Sequence, residues 1–159
     1  MSSPKLNSMR VLERFNVPYE VLSYPATTRD AEEVAELLGL PAFMVYKTLV
    51  VLPEAAPKPV LVLLPADQQL DIKRLAQGIG AKKAKMATHA EAERLTGLQV
   101  GGISPLMLLD KGWKVYLDST ATQQQNVVIS AGQRGLQLRV PVVPLLNILR
   151  ASVLDLGAG

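Results

Sequence analysis

Tyr46-Lys47-Thr48-Leu49-Val50-Val51-Leu52 and Val60-Leu61-Val62-Leu63-Leu64 stand on either side of a Pro/Ala-rich turn, Pro53 to Pro59. Short apolar runs bounded by proline read as strands. The second run has no polar alternation, the mark of a strand buried on both faces. The pair is therefore expected as a hairpin with a loose connection. Lys47 interrupts the first run. It either carries its ammonium out to the sheet edge along an apolar stem, or points it into a cavity. In a cavity it would bind a carbonyl, carboxylate or phosphate.

Before this hairpin, Leu6, Met9, Leu12 and Phe15 follow at helical spacing, with Ser3 as N-cap and Pro4 at the first helical position. Asn16 stops that helix. Pro18 to Tyr24 alternates as a strand ended by Pro25. Asp30-Ala31-Glu32-Glu33 opens a helix through Leu38, which Gly39 stops. A short helical turn is expected from Ala42.

After the hairpin, Asp71 caps a helix, and Lys82-Lys83-Ala84-Lys85 forms a basic segment leading to Met86. Such a charge run is either a solvated face or a contact for RNA phosphates. Thr88-His89-Ala90-Glu91 is a capping box, with Gly97 as the stop. Strands are expected at Trp113 to Leu117, Asn126 to Ser130 and Leu136 to Val140, the last two joined by the Ala131-Gly132-Gln133-Arg134-Gly135 turn. Pro144 opens a last helix to about Arg150, and Ser152 to Leu156 reads as a closing strand. Strands and short helices mix without regular βαβ alternation, and late hairpins imply a mixed sheet. The fold class is α+β: a curved, barrel-like sheet with helices packed outside.

The 159 residues fit one domain, 1–159, with no internal repeat or dividing linker. At 48% hydrophobic residues, disorder is excluded. No apolar run approaches the roughly 18 residues of a membrane span. With no cysteine there is no disulfide, thiolate zinc site or thiol nucleophile, and with one histidine, His89, no His-rich metal site. A cytoplasmic location and no metal or other cofactor are expected. The net charge of +3 and pI of 9.3 permit an RNA partner. No phosphate-binding glycine motif of a nucleotide fold appears.

Gly101-Gly102-Ile103-Ser104-Pro105 is the most constrained loop. Two glycines free the backbone, Ile103 can plug the loop into a core, Ser104 can bond its own backbone and Pro105 stiffens the exit. It is either a tight connection or a cradle of amide groups facing a pocket. Ser130 either caps its turn or contacts a pocket. Tyr24 is core or pocket wall, and His89 sits beside its capping box. Arg134 is a turn residue, an ion-pair partner or a phosphate contact.

Five stretches, in order, resemble the YbaK/ProX family, related to the editing domain of bacterial prolyl-tRNA synthetases. They are Val45–Val51, Gln69-Leu70-Asp71, Gly80–Ala87, Val100–Pro105 and Ser130–Leu136. The resemblance implies a trans-acting aminoacyl-tRNA deacylase that removes a small mischarged amino acid, such as Cys or Ala from tRNA-Pro. Cleavage would be hydrolytic or cyclising, assisted by groups of the substrate such as a ribose hydroxyl or a cysteinyl thiol. It implies Lys47, Gly101 and Gly102 as catalytic and Tyr24, Thr48 and Ser130 as substrate-binding. Aminoacylated tRNA would be the partner, with a synthetase as a second candidate and neither membrane nor DNA. The alternative is a non-catalytic module of the same fold that binds tRNA or a synthetase. Three departures stand out: Ala131-Gly132 where Gly-Gly is common, a short Pro25–Asp30 segment, and Tyr46 where phenylalanine is frequent.

Overall fold

In the computed structural model, which describes residues 5–28 and 30–158, the expected hairpin forms. Strands β2 (Tyr46–Pro53) and β3 (Val60–Pro65) pair antiparallel, with Lys47 opposite Leu64 and Val51 opposite Val60. Every residue of β3 is buried, because the sheet carries a core on each face. Leu61 and Leu63 enter the larger core; Val60, Val62 and Leu64 enter a second one.

The hairpin grows into a five-stranded sheet in the order β4-β2-β3-β5-β8, where β4 is Ala84–Met86, β5 is Val115–Asp118 and β8 is Ser152–Leu154. β5 runs parallel to β3, and β8 parallel to β5. A second, antiparallel sheet has the order β1-β7-β6, with β1 Glu20–Ser23, β7 Leu136–Pro141 and β6 Asn126–Ser130. The helices are α1 (Asn7–Arg14), α2 (Ala31–Leu38), α3 (Ile72–Ile79), α4 (His89–Thr96) and α5 (Val142–Leu149). None of them is long and apolar enough to cross a membrane.

The class is α+β, as expected, but the strands form two sheets and neither closes into a barrel. The sheets meet at a parallel bridge between Val45 and Val128. That pairing cannot run on, because β6 ends at Ser130 and the chain turns back through Gly132, at φ +115°, into β7.

Local chemistry explains most helix ends. Asp30, Asp71 and Thr88 accept hydrogen bonds from the first turns of α2, α3 and α4, and Gly39, Gly80 and Gly97 end them in the left-handed conformation. α1 departs from expectation. Its N-cap is Leu6, and the Ser3-Pro4 cap lies outside the described residues. Phe15 is 54% exposed, because the helix ends at Arg14 and the backbone turns at Asn16 (φ 56°). Ser8 is buried instead and donates to the Ala131 carbonyl, tying α1 to the β6–β7 turn. α5 starts two residues before Pro144, a position in the first turn where no amide is needed.

Candidate functional site

β4 pairs only with Val51, Leu52 and Pro53. Between that pairing and the Val45–Val128 bridge, the outer edge of β2 is left unpaired around Thr48. Backbone alternation decides which groups face it. The Val45 carbonyl accepts from Ala66, and two-residue periodicity then turns Lys47 toward β3 and Thr48 outward. The Val50 carbonyl, two residues on, does face outward and accepts from Ala87 at 3.0 Å. A cavity of about 370 Å³ wraps around this edge.

Its walls come from distant parts of the chain. The start of α2 contributes Asp30, Ala31 and Val34; β2 contributes Lys47 and Thr48; the glycine loop contributes Val100, Gly101 and Ile103. Ser130 and Gln137, opposite each other on β6 and β7, close one side, and His89 at the start of α4 stands at another. Lys47 and Thr48 are consecutive strand residues, so they flank the edge from opposite faces.

Lys47 is half-buried, and its Nζ donates to the Ala66 carbonyl at 3.4 Å. Among the described residues no ion pair engages it. Thr48 Oγ1 is buried and has no hydrogen-bond partner. A buried hydroxyl without a partner costs about 1–3 kcal/mol, a cost that a hydrogen bond from a group in the cavity would relieve. Thr48→Val keeps the shape and removes the orphaned group. The variant is expected to melt about 2–4 °C higher, roughly 1 kcal/mol more stable. Calorimetry of the variant beside wild type checks this.

The glycine loop is held from two sides. Val100 N–H donates to Glu93 Oε2 at 2.8 Å, and the Val100 carbonyl accepts from Arg134 Nε at 2.7 Å. Arg134 thus reaches out of the β6–β7 turn to clamp the loop. Ile103 is buried in the larger core and Ser104 Oγ accepts from Leu106 N–H, as expected of a loop whose shape is enforced. Gly101, at φ +91°, lines the cavity. Gly102 does not. A Cβ there would lie 2.9 Å from Gln133 Cα and Arg134 N, so this glycine lets the loop and the turn touch.

Tyr24 is buried behind the wall, where its hydroxyl accepts from Gln137 Nε2 at 3.3 Å. Ser130 Oγ accepts from Gly132 N–H at 3.1 Å and keeps its own proton to donate. The turn closes normally with Ala131, which is fully buried and donates to the Leu136 carbonyl. Tyr46 is buried with its hydroxyl 2.8 Å from Thr120 Oγ1, and burial pushes its ionisation above the ordinary tyrosine range. It is a neutral anchor for the start of β2.

The fold thus gathers Lys47, Thr48, Gly101 and Ser130 around one cavity and sets Gly102 and Tyr24 behind its walls. Sequence reading missed Asp30, His89, Val100 and Gln137 as wall residues, and Glu93 and Arg134 as loop clamps. Arg134 did carry a signal, its place between two glycines; Gln137 carried none.

The cavity's chemistry is that of a positioning site. Its lining holds the Lys47 ammonium, the Asp30 carboxylate, the His89 ring, the Thr48 and Ser130 hydroxyls and the backbone of the glycine loop. No hydrogen bond links His89 to Ser130 or Thr48 among the described residues, so no nucleophile–base pair is assembled.

Comparison with known proteins agrees. The family model described as the aminoacyl-tRNA editing domain matches residues 25–148. EbsC of Enterococcus faecalis, whose name proposes a Cys-tRNA(Pro)/Cys-tRNA(Cys) deacylase, is 34% identical over 155 residues, covering 96% of this chain and 93% of EbsC. Proline–tRNA ligase of Lactobacillus helveticus is 31% identical over 108 residues, covering 67% of this chain but only 18% of the ligase. A solved structure described as a proposed trans-editing enzyme for prolyl-tRNA synthetase superimposes with TM-score 0.79 at 28% identity, covering 99% of this chain and 100% of its own. That of a hypothetical protein superimposes with TM-score 0.86 at 25% identity, over 95% and 99%. Ordered motifs, cavity and fold converge: the chain belongs to the aminoacyl-tRNA editing domain family.

Proposed function

We propose that the cavity binds the aminoacylated 3′ end of a mischarged tRNA and cleaves the ester that holds a small amino acid there. The observation that carries this reading is the orphaned Thr48 hydroxyl beside an unpaired stretch of strand edge, at a cavity that Gly101 also lines. An aminoacyl ester is already activated, so a site of fixed donors suffices without a protein nucleophile. The Lys47 ammonium holds the ester carbonyl or the terminal phosphate. The Gly101 amide and the outward backbone of Thr48 stabilise the developing oxyanion. Gln137, oriented by Tyr24, and Ser130 form the polar wall beside the aminoacyl group.

In hydrolysis, water adds to the carbonyl carbon, the ester C–O bond breaks, and the ribose oxygen leaves with the proton. With a cysteinyl group, the substrate thiol attacks its own carbonyl and leaves as a cyclic thioester, again freeing the ribose hydroxyl. Ala31, Val34 and Ile103 line the same space, and shape of this kind discriminates one methylene by about 1–3 kcal/mol. Small amino acids are therefore favoured over large ones.

Incubation with a panel of mischarged tRNAs tests the proposal, starting with cysteinyl- and alanyl-tRNA-Pro. At least one small aminoacyl-tRNA is expected to be deacylated well above the buffer rate. Binding of tRNA with no deacylation of any member would leave only the non-catalytic reading.

A further inference from the structure

The basic segment expected at Lys82–Lys85 runs into the edge strand β4, which begins at Ala84, and its geometry places it relative to the cavity. In the β2–β4 register Lys85 lies opposite Leu52. Directly opposed residues share a sheet face, and Leu52, Val50 and Thr48 share one by alternation. Lys85 therefore projects on the face to which Thr48 belongs, and Lys83, whose carbonyl accepts from Glu54 N–H at 2.8 Å, continues the alternation on the same face. Burial agrees: Ala84 packs into the second core on the other face, and Ala87, two residues beyond Lys85, packs against the larger core on theirs. The strand then leads straight to His89 at the cavity wall.

Both lysines are exposed, and among the described residues neither forms an ion pair. Two carboxylates lie nearby. Glu91 is engaged in its capping box, accepting from Thr88 N–H at 2.9 Å. Glu54 lines a recess together with Lys83 and Lys85. β4 is the last strand on its side of the sheet, so the approach is open.

We infer that Lys83 and Lys85 form a phosphate track that holds the tRNA 3′ strand behind the aminoacylated nucleotide. The inference rests on the deacylase reading for the direction of the strand. The spacing suits it: Leu52 lies four residues from Thr48, about 13 Å along the strand, which equals roughly four stacked nucleotides at about 3.4 Å each. A flexible ammonium on an exposed strand is a point-charge phosphate contact without base readout. The track therefore adds affinity for any tRNA and leaves the choice of amino acid to the cavity.

The test compares wild type, Lys83→Gln/Lys85→Gln, and a charge-matched control, Lys73→Gln/Lys114→Gln, whose lysines lie outside the track. Binding of uncharged tRNA is followed by fluorescence anisotropy across a salt series. Deacylation is measured on aminoacyl-tRNA and on an aminoacyl-adenosine. The track variant is expected to bind tRNA at least tenfold more weakly, with the slope of log affinity against log salt smaller by about 1.4. Its KM for aminoacyl-tRNA rises in proportion, kcat stays within twofold, and aminoacyl-adenosine is cleaved at the wild-type rate. Wild-type binding and slope in the track variant would overturn the inference, as would a parallel loss on aminoacyl-adenosine or an equal loss in the control. If wild type binds tRNA through these lysines but cleaves nothing, the track stands and the deacylase reading falls.

Discussion

Lys47→Ala is expected to lower deacylation by about 10²–10³-fold while leaving the protein folded, the range seen when one electrostatic donor is removed from an oxyanion site. The structure separates the two effects. Among the described residues Lys47 makes one hydrogen bond, a long one to the Ala66 carbonyl at 3.4 Å, and no ion pair. Its loss therefore removes little that holds β2 to β3, whose pairing runs from Tyr46 to Val51 through the backbone. Lys47→Met sharpens the comparison by keeping an apolar stem of similar length without the charge. Both variants should melt within about 3 °C of wild type, less than roughly 1 kcal/mol apart, and both should be nearly inactive. Single-turnover deacylation and thermal melting measure the two sides. A folded Lys47→Met protein with normal turnover would sink the assigned role.

Gly102→Ala is expected to damage stability and activity together, by a different route. The new Cβ would sit 2.9 Å from backbone atoms of Gln133 and Arg134, which no rotamer change relieves. Relief requires the glycine loop and the β6–β7 turn to part. Overpacking of this kind costs about 1–3 kcal/mol. Parting also strains the Arg134–Val100 hydrogen bond of 2.7 Å, which holds the residue next to Gly101. A displacement of about 1 Å in a positioning site costs on the order of 10²-fold in rate. Gly39→Ala is the control: its φ of +68° imposes backbone strain, but the added Cβ meets nothing within 4 Å. It should lose about 1 kcal/mol and keep full activity. Wild-type melting and turnover in Gly102→Ala would show that the loop contact does not shape the site.

The elements most legible in the sequence were those set by neighbours in the chain. Asp30, Asp71 and Thr88 start helices because their side chains reach amides two or three residues on, and Gly39, Gly80 and Gly97 end them because positive φ is cheap for glycine. The all-apolar β3 announced a strand with a core on each face. Phe15 was misplaced because a helical stripe does not reveal where the helix stops. The barrel-like closure was misjudged for a related reason. Strand patterns tell how many strands there are, and only packing tells whether the β6 edge stays with the β2 edge beyond one bridge.

By itself, the sequence determined the α+β class, the hairpin around the Pro53–Pro59 turn, the caps, and the family with Lys47 and the glycine loop as its marked residues. Tertiary structure alone decided how those marks divide. Gly101 lines the cavity while its neighbour Gly102 serves the contact with the turn. Tyr24 lies behind the wall and is joined to it by a hydrogen bond from Gln137, a residue 113 positions away. Thr48 lies at an unpaired stretch of edge because β4 pairs no further than Val51. The physical reason is common to all three. Backbone propensity is local and readable along the chain, whereas an open edge, an unpartnered hydroxyl or a forbidden Cβ exists only once distant segments are packed together.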